Sequence, residues 1–593
     1  MKKKHQKNLR DGAALLVVLF IVMTITVLSL GFLSQSDVEL ACGENMILRT
    51  QMDYLAESGL EHARGLILSP QDISSEYWSG ATGMQLIAGS NDYYDIEVLR
   101  DESDPYDLCN YTIDCNSYRL KNGEQVGFSG TRALLRLDPC IALWTGNDTL
   151  ISNGTTINGD VFCNGTLTNT GMIDGDVFAG IYTGSGSKTG QDKSTNDLSL
   201  VWPRVTIADF ISYYNSEYII SDSISSQSFG SLEPVEVCYR NSDLEIAGNV
   251  QINGMLLVNG DLVVRNNQNT ITAAKNLPSL LVTGDLKILA ESVLQINGLA
   301  VVDGNMYISA DSADVEIMGG LFVQGTIIET ASDSSGNSHD GRLYGGPSWL
   351  PTAGKYNGAT RFDGSDDKIE NDDTIAASIN NLSAITLSLW VKSDVTYQDS
   401  DILFTREPTG YDIELGIRYD RNGASGGGVS GIKASIKTTS GDTQIESSSN
   451  VQTTSWQHLV LTWQNDPNDS HLKLYINGVL DSGLRYDSGP VYGVITGIQK
   501  LMLGCGTKNE YWDGLIDDVR IYSRALNVTE INIVKNGGTV SDLLLYWNFD
   551  ENGSNITITA APSKTAVNLW SEEGDMEKWS QAAGAFFRSI DRK

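Results

Sequence analysis

The sequence predicts a multidomain, mainly β protein: a long N-terminal α-helix, a parallel β-solenoid, and then an antiparallel β-sandwich. Three observations carry this. An uncharged run of 21 residues, Ala13 to Leu33, opens the chain. Short apolar motifs ending in glycine recur about every 20 residues between 250 and 325. Beyond 333, strand-like segments follow one another every 8–14 residues, separated by Gly, Asn and Asp.

At 593 residues the chain is too long for a single core. Its net charge of −33, from 74 acidic and 41 basic residues, repels phosphates and argues against nucleic acid as a partner. The same excess supplies carboxylates for divalent cations. Fifty-nine glycines beside only 12 prolines point to a turn-rich β protein rather than a disordered one. Five scattered histidines and the lack of a CxxC pair argue against a zinc site. Cys109 and Cys115 are close enough in sequence to close a small disulfide loop in an oxidising compartment, with Cys140–Cys163 as a second pairing. The alternative is buried free thiols.

Ala13–Leu33 matches the ~20 apolar residues a helix needs to cross a bilayer. Lys2, Lys3, Lys4, Lys7 and Arg10 stand before it against the single acid Asp11. That asymmetry holds leader 1–12 in the cytoplasm and sends the bulk of the chain outward, to the periplasm or cell surface. A cleaved signal would have a shorter apolar region, of roughly 7–15 residues. Leu48, Met52, Leu55, Gly59, Ala63 and Leu66 continue at helical spacing until Pro70. Residues 13–70 thus read as one helix about 80 Å long.

Gly12 followed by AALLVVLF, and then QMDYLAESGLEHARGLIL, resembles the N-terminus of type IV pilin-like proteins, nearest to PilX-type minor pilins and the K-type pseudopilin of type II secretion. The resemblance implies a bacterial membrane, cleavage after Gly12, Ala13 as the mature N-terminus, and other pilin-like subunits as partners. Major pilins carry Glu at the fifth mature position. Val17 stands there in this chain, which implies a minor subunit. Residues 71–140, with YYDIEVLR (93–100), YTIDCNSYRL (111–120) and TRALLRLD (131–138), read as a small antiparallel sheet of the kind such chains pack on the long helix.

Leu256–Gly260, Leu280–Gly284, Ala300–Gly304 and Leu321–Gly325 align at spacings of 24, 20 and 21, and Ile252, Ile296 and Ile317 form a second anchor. Asn158–Phe162 and Asp174–Phe178 repeat an NGDVF-like pattern. A period near 20 with glycine turns means a solenoid over 141–330. An insertion at about 181–240 holds a Gly/Ser/Thr linker and a short helix around Val205–Tyr218. The repeats resemble bactofilin-like modules. Their Asn-Gly-Asp corners are turn chemistry rather than calcium repeats, and the stiff rod is a spacer.

DSSGNSHDGRL (333–343), ATRFDGSDDKIE (359–370), SWQHLVLTW (455–463), LKLYINGV (472–479) and GLIDDVRIYSRALNVTEI (514–531) resemble, in order, the motifs of the laminin-G-like, concanavalin A-like jelly-roll family. This implies a two-sheet jelly roll over 331–556, a glycan or protein ligand, and a structural calcium. The family's opening W-x-F-D-E strand here comes last, as Trp547–Gly553, and a tail, 557–593, follows. That strand either completes the same sheet as a permuted edge strand, the reading preferred because an unpaired apolar strand would be a liability, or opens a second, truncated module.

In that fold the entry loop and closing strand lie together, so Asp333, Asn337, Asp517 and Asp518 are the candidate calcium ligands. Tyr511 and Trp512, at a turn, are the candidate ligand-binding aromatics. Trp390 and Trp463, mid-strand among apolar neighbours, belong to the core. The acidic triplet of glucanase relatives is absent, Glu370-Asn-Asp372 being nearest, so no catalytic residue is assigned. The function read from the sequence is a pilin-like, membrane-anchored surface protein presenting an adhesion module. The alternatives are an envelope lectin or structural protein unrelated to pili, and a surface glycoside hydrolase.

Overall fold

The computed structural model describes residues 7–68, 77–101, 110–138, 141–197, 202, 210–211, 214–274, 277–371, 373–405, 415–421, 430–481, 485–486, 489–506, 510–560 and 584–592. It is mainly β, with one long N-terminal helix. That helix is Lys7–Leu68. Within it, Ala13–Ile67 is long and apolar enough to cross a membrane, with a mean hydropathy of 2.8 in its most apolar window.

The two halves of the helix differ. Large apolar side chains from Leu15 to Leu33 are exposed. Met52, Leu55, Ala56, Leu60, Ala63 and Ile67 are buried against an antiparallel meander of Gly80–Met84, Asp92–Arg100, Asn110–Lys121 and Glu124–Asp138. The contact is close at Gly59, where a Cβ would lie 2.3 Å from the Cys115 sulfur. Cys115 is a free, fully buried thiol. The expected Cys109–Cys115 disulfide is therefore corrected: this sulfur sits against the helix, and Cys109 lies outside the described residues. Cys163 is likewise free and buried, and Cys140 lies outside the described residues. Gly584–Arg592 adds an antiparallel strand to Glu124–Asp138.

The solenoid is built of three-sided coils, and its registers are those the aligned motifs demand. Leu256 pairs with Leu280, Leu280 with Ala300, and Ala300 with Leu321, all parallel. Ile252, Ile271, Ile296 and Ile317 form a second column. Both columns point inward and are buried. The Gly-Asp corners are also explained. Asp243, Asp261, Asp285 and Asn305 each accept, through Oδ1, the backbone N–H of the matching residue one coil on, at 2.8–3.1 Å.

The coils do not stack in chain order. Leu321–Val323 pairs with Ile141–Thr145, so the 141–194 coils continue the rod beyond the last C-terminal one. Most of the span read as an insertion is also coil. Val177–Thr183 and Asp192–Ser194 belong to one end, and Asn215–Tyr218 and Glu236–Arg240 to the other. Asn215–Tyr218 is a strand where a helix was expected, and 205–209 and 212–213 fall outside the described residues. Trp202, Phe210, Ile211 and Tyr214 cross the outside of the rod and cover an apolar face that includes Trp144, Phe162 and Phe322.

One coil is composite. Leu321–Val323 and Ile327–Ala331 supply two sides, and Gly553–Thr559 supplies the third, between Asp311–Met318 and Thr155–Asn158. The boundary expected at 556 thus falls inside a solenoid strand, because Ile556 and Ile558 fill the inward column. The β-sandwich is a 220-odd-residue excursion from one solenoid corner. Its exit and return are cross-braced. Ser332 N–H donates to the Glu551 carboxylate at 3.0 Å, and Ser554 N–H and hydroxyl donate to Glu329 at 3.1 and 2.8 Å.

The sandwich has two antiparallel sheets around a buried core. One continues a solenoid face directly, since Ile327–Ala331 pairs with Gly341–Tyr344. In the other, Leu543–Trp547 pairs with Asp513–Tyr522, so the late W-x-F-D-E strand joins this sheet.

Candidate ligand-binding site

Asp333 is occupied by its own loop. One carboxylate oxygen accepts from Ser335 N and Tyr546 N, both at 2.9 Å, and the other from the Ser335 hydroxyl and His339 N. Asn337 donates to the carbonyls of Leu543 and Leu544. These two residues stitch the entry loop to the closing strand. Asp517 and Asp518 are fully buried on Asp513–Tyr522. Asp517 accepts from Tyr356 N at 2.9 Å and Asp518 pairs with Arg520 at 2.6 Å, yet each keeps one buried oxygen without a hydrogen-bond partner. Burial, with Asp518 and Asp550 nearby, pushes Asp517 up to about 8.

Of the two aromatic candidates, Tyr511 is half-buried. Trp512 is a correction: it is fully buried, edge-on to Tyr419 at 5.0 Å, and serves the core. Its strand begins one residue later, so a position that reads as a turn already points inward. Glu370, in the nearest match to a glucanase triplet, is held by Lys368 at 2.6 Å and Lys500 at 3.2 Å.

The sequence reading missed a cleft where the sandwich meets the solenoid, with a volume of about 590 Å³. Its sandwich wall comes from the FDGSDD turn. Asp363, Asp366 and Asp367 bring carboxylate oxygens within 4.8 Å of one another. Among the described residues no other such acidic, His or Cys group is found. Asp367 is only 4% exposed and accepts from Asp363 N at 2.8 Å. Burial and the Asp363 charge push it up to about 7. Asp366 is raised for the same reasons. Arg361, ion-paired with Asp394 and Asp513, brings the positive charge. Gly345 lets the neighbouring turn approach: its φ is +85°, and a Cβ there would lie 2.4 Å from the Asp366 carbonyl. Trp349, tilted against Phe549 at 6.0 Å, supplies an aromatic surface.

The opposite wall is solenoid. Thr168 and Thr183 face each other on adjacent coils, their hydroxyls 3.3 Å apart, with Thr170 and Ser185 close by. Glu329, buried beside the neck, closes the floor. The acidic motif was visible in the sequence. The hydroxyl wall, nearly 200 residues earlier, carried no signal that it would meet it.

Residues 363–532 match the laminin G family model described as the concanavalin A-like lectin/glucanases superfamily. Similar solved structures include domain 4 of an extracellular GH43 arabinanase from Geobacillus stearothermophilus in complex with arabinotriose, at 22% identity, covering 35% of this chain and 92% of that one, with a TM-score of 0.26. The binding domain of Paraclostridial Mosquitocidal Protein 1 is 18% identical, with 35% and 49% covered and a TM-score of 0.27. The binding domain of botulinum neurotoxin serotype G is 16% identical, with 34% and 47% covered and a TM-score of 0.26. The chain thus spans about half the length of the two toxin binding domains. No curated protein matches the chain. The stretch that is similar to this family lies within the β-sandwich, and its Asp363, Asp366 and Asp367 belong to one wall of the cleft.

Proposed function

We propose that this chain is a membrane-anchored, pilin-like surface protein that presents its laminin-G-like module to an extracellular glycan or protein. The observation that carries the reading is the division of labour along the chain. An exposed apolar helix stands at one end, and a lectin-type module shares a continuous sheet with a stiff solenoid at the other. The second half of the helix, packed on a small antiparallel meander, supports the pilin comparison. The module binds and does not catalyse, in keeping with Glu370 being held between Lys368 and Lys500; Asp372 lies outside the described residues.

N-terminal sequencing of protein from the membrane fraction tests the anchor. A mature chain starting at Ala13 supports the pilin reading, and one starting at Met1 points to a plain anchored lectin. Binding of the full, detergent-solubilised chain to arrayed glycans and surface proteins tests the module; no ligand of either class would overturn it.

We also propose a structural calcium at Asp517 and Asp518, because their two orphaned, buried oxygens suit a hard cation. Asp333, its oxygens already taken by four donors, is left to the loop. Millimolar calcium is expected to raise the melting midpoint of the wild-type chain but not of Asp517→Asn. An equal response in both would refute the site.

A further inference from the structure

We propose that the cleft between the solenoid and the sandwich is a composite binding site for a neutral glycan, to which both modules contribute. The inference rests on the reading of the chain as a binding protein and names the place and the ligand class. Its chemistry is that of sugar recognition. Sugar hydroxyls both donate and accept, so they suit a site that sets carboxylates beside a guanidinium and a row of hydroxyls. Here Asp363 and Asp366 are exposed acceptors, Arg361 is the donor, and Thr168, Thr183 and Ser185 offer both roles from the other side. Trp349 gives the apolar face of a sugar ring a surface to lie on.

Charge decides against the acidic glycans. Asp363 and Asp366, both exposed, line the cleft against Arg361, which is already shared between Asp394 and Asp513, while buried Asp367 and Glu329 hold their protons more tightly and add less charge. A sialic acid, uronate, sulfate or phosphate entering it would meet like charge at short range. The geometry also requires both modules. The two walls are held in register by the continuous sheet at Ile327–Ala331 and by the Glu329 and Glu551 braces. A cleft of about 590 Å³ has room for a short oligosaccharide segment rather than a polymer face.

The test uses the full detergent-solubilised chain on an array of neutral and anionic glycans, with one variant in each wall: Asp366→Ala in the sandwich and Thr183→Trp in the solenoid. Both positions are exposed, so melting midpoints are expected to match the wild type. Each variant is expected to weaken binding to neutral glycans at least about tenfold, the scale of one or two lost hydrogen bonds or a blocked cleft. Wild-type binding that both variants retain would overturn the cleft while leaving the module's binding role standing. A preference for anionic glycans, or a calorimetric signal with calcium chloride that Asp366→Ala abolishes and none with neutral glycans, would also overturn it. If the wild type binds only proteins, the glycan assignment falls and the surface-protein reading does not.

Discussion

Asp285 shows how one side chain holds a corner of the rod. Its own N–H is accepted by Asp261, and its Oδ1 accepts Asn305 N–H at 2.8 Å, so each coil's acid orders the next. Asp285→Ala removes the acceptor and leaves a half-buried N–H unpaired. It is expected to cost about 1–2 kcal/mol in denaturant unfolding. Asp285→Asn, which keeps the oxygen, should recover most of that. A larger loss in the Asn variant would mean that charge, not the hydrogen bond, matters there. At this scale the glycine–acid pairs were legible because turn chemistry is local. Trp512 was not: its burial depends on Tyr419, 93 positions earlier.

Among elements, the strand Gly553–Thr559 does the most with the fewest residues. It pairs on both edges within the solenoid, and Ile558 is fully buried in a column with Ile317 and Ile157. Ile558→Ala is expected to cost about 3 kcal/mol, the usual scale for truncating a buried isoleucine. That loss should appear in the solenoid's own protection from hydrogen exchange, although the residue follows the sandwich in sequence. Protection lost only in the sandwich would contradict the composite coil. The expected boundary at 556 cut this seven-residue strand in two, and a single short strand fits any edge, so the sequence could not say which sheet receives it. The apolar motifs at 256, 280, 300 and 321 were decisive by contrast, because four copies at one register leave a single stacking solution.

For the whole molecule, the neck makes stability depend on pH. Glu551, 3% exposed, is pushed by burial and by Asp311 and Asp550 up to about 7 from an ordinary 4.5, and Asp517 is pushed up to about 8. Each folded-state value lies above the unfolded one, so the folded chain holds these protons more tightly. The stabilisation is fully present below about pH 4 and is lost as pH rises through 7 to 8. In calcium-free buffer the melting midpoint should therefore fall from pH 5 to pH 9. Glu551→Gln, which cannot ionise, should fall less steeply over that range. Parallel slopes for the two proteins would show that Glu551 does not titrate in this window.

By itself the sequence determined what is periodic or local: the apolar helix, the stacked motifs with their Gly-Asp corners, and the ordered strands of the laminin-G-like module. These are encoded in neighbouring residues and need no knowledge of distant ones. Only the tertiary structure decided that residues 141–194 stack beyond 321–331, that the sandwich leaves and rejoins one solenoid coil, and that the FDGSDD turn faces a threonine-lined wall. Those arrangements depend on which exposed edge finds which partner. Backbone hydrogen bonding satisfies any parallel edge equally, so the choice is made by long-range packing of inward-facing side chains.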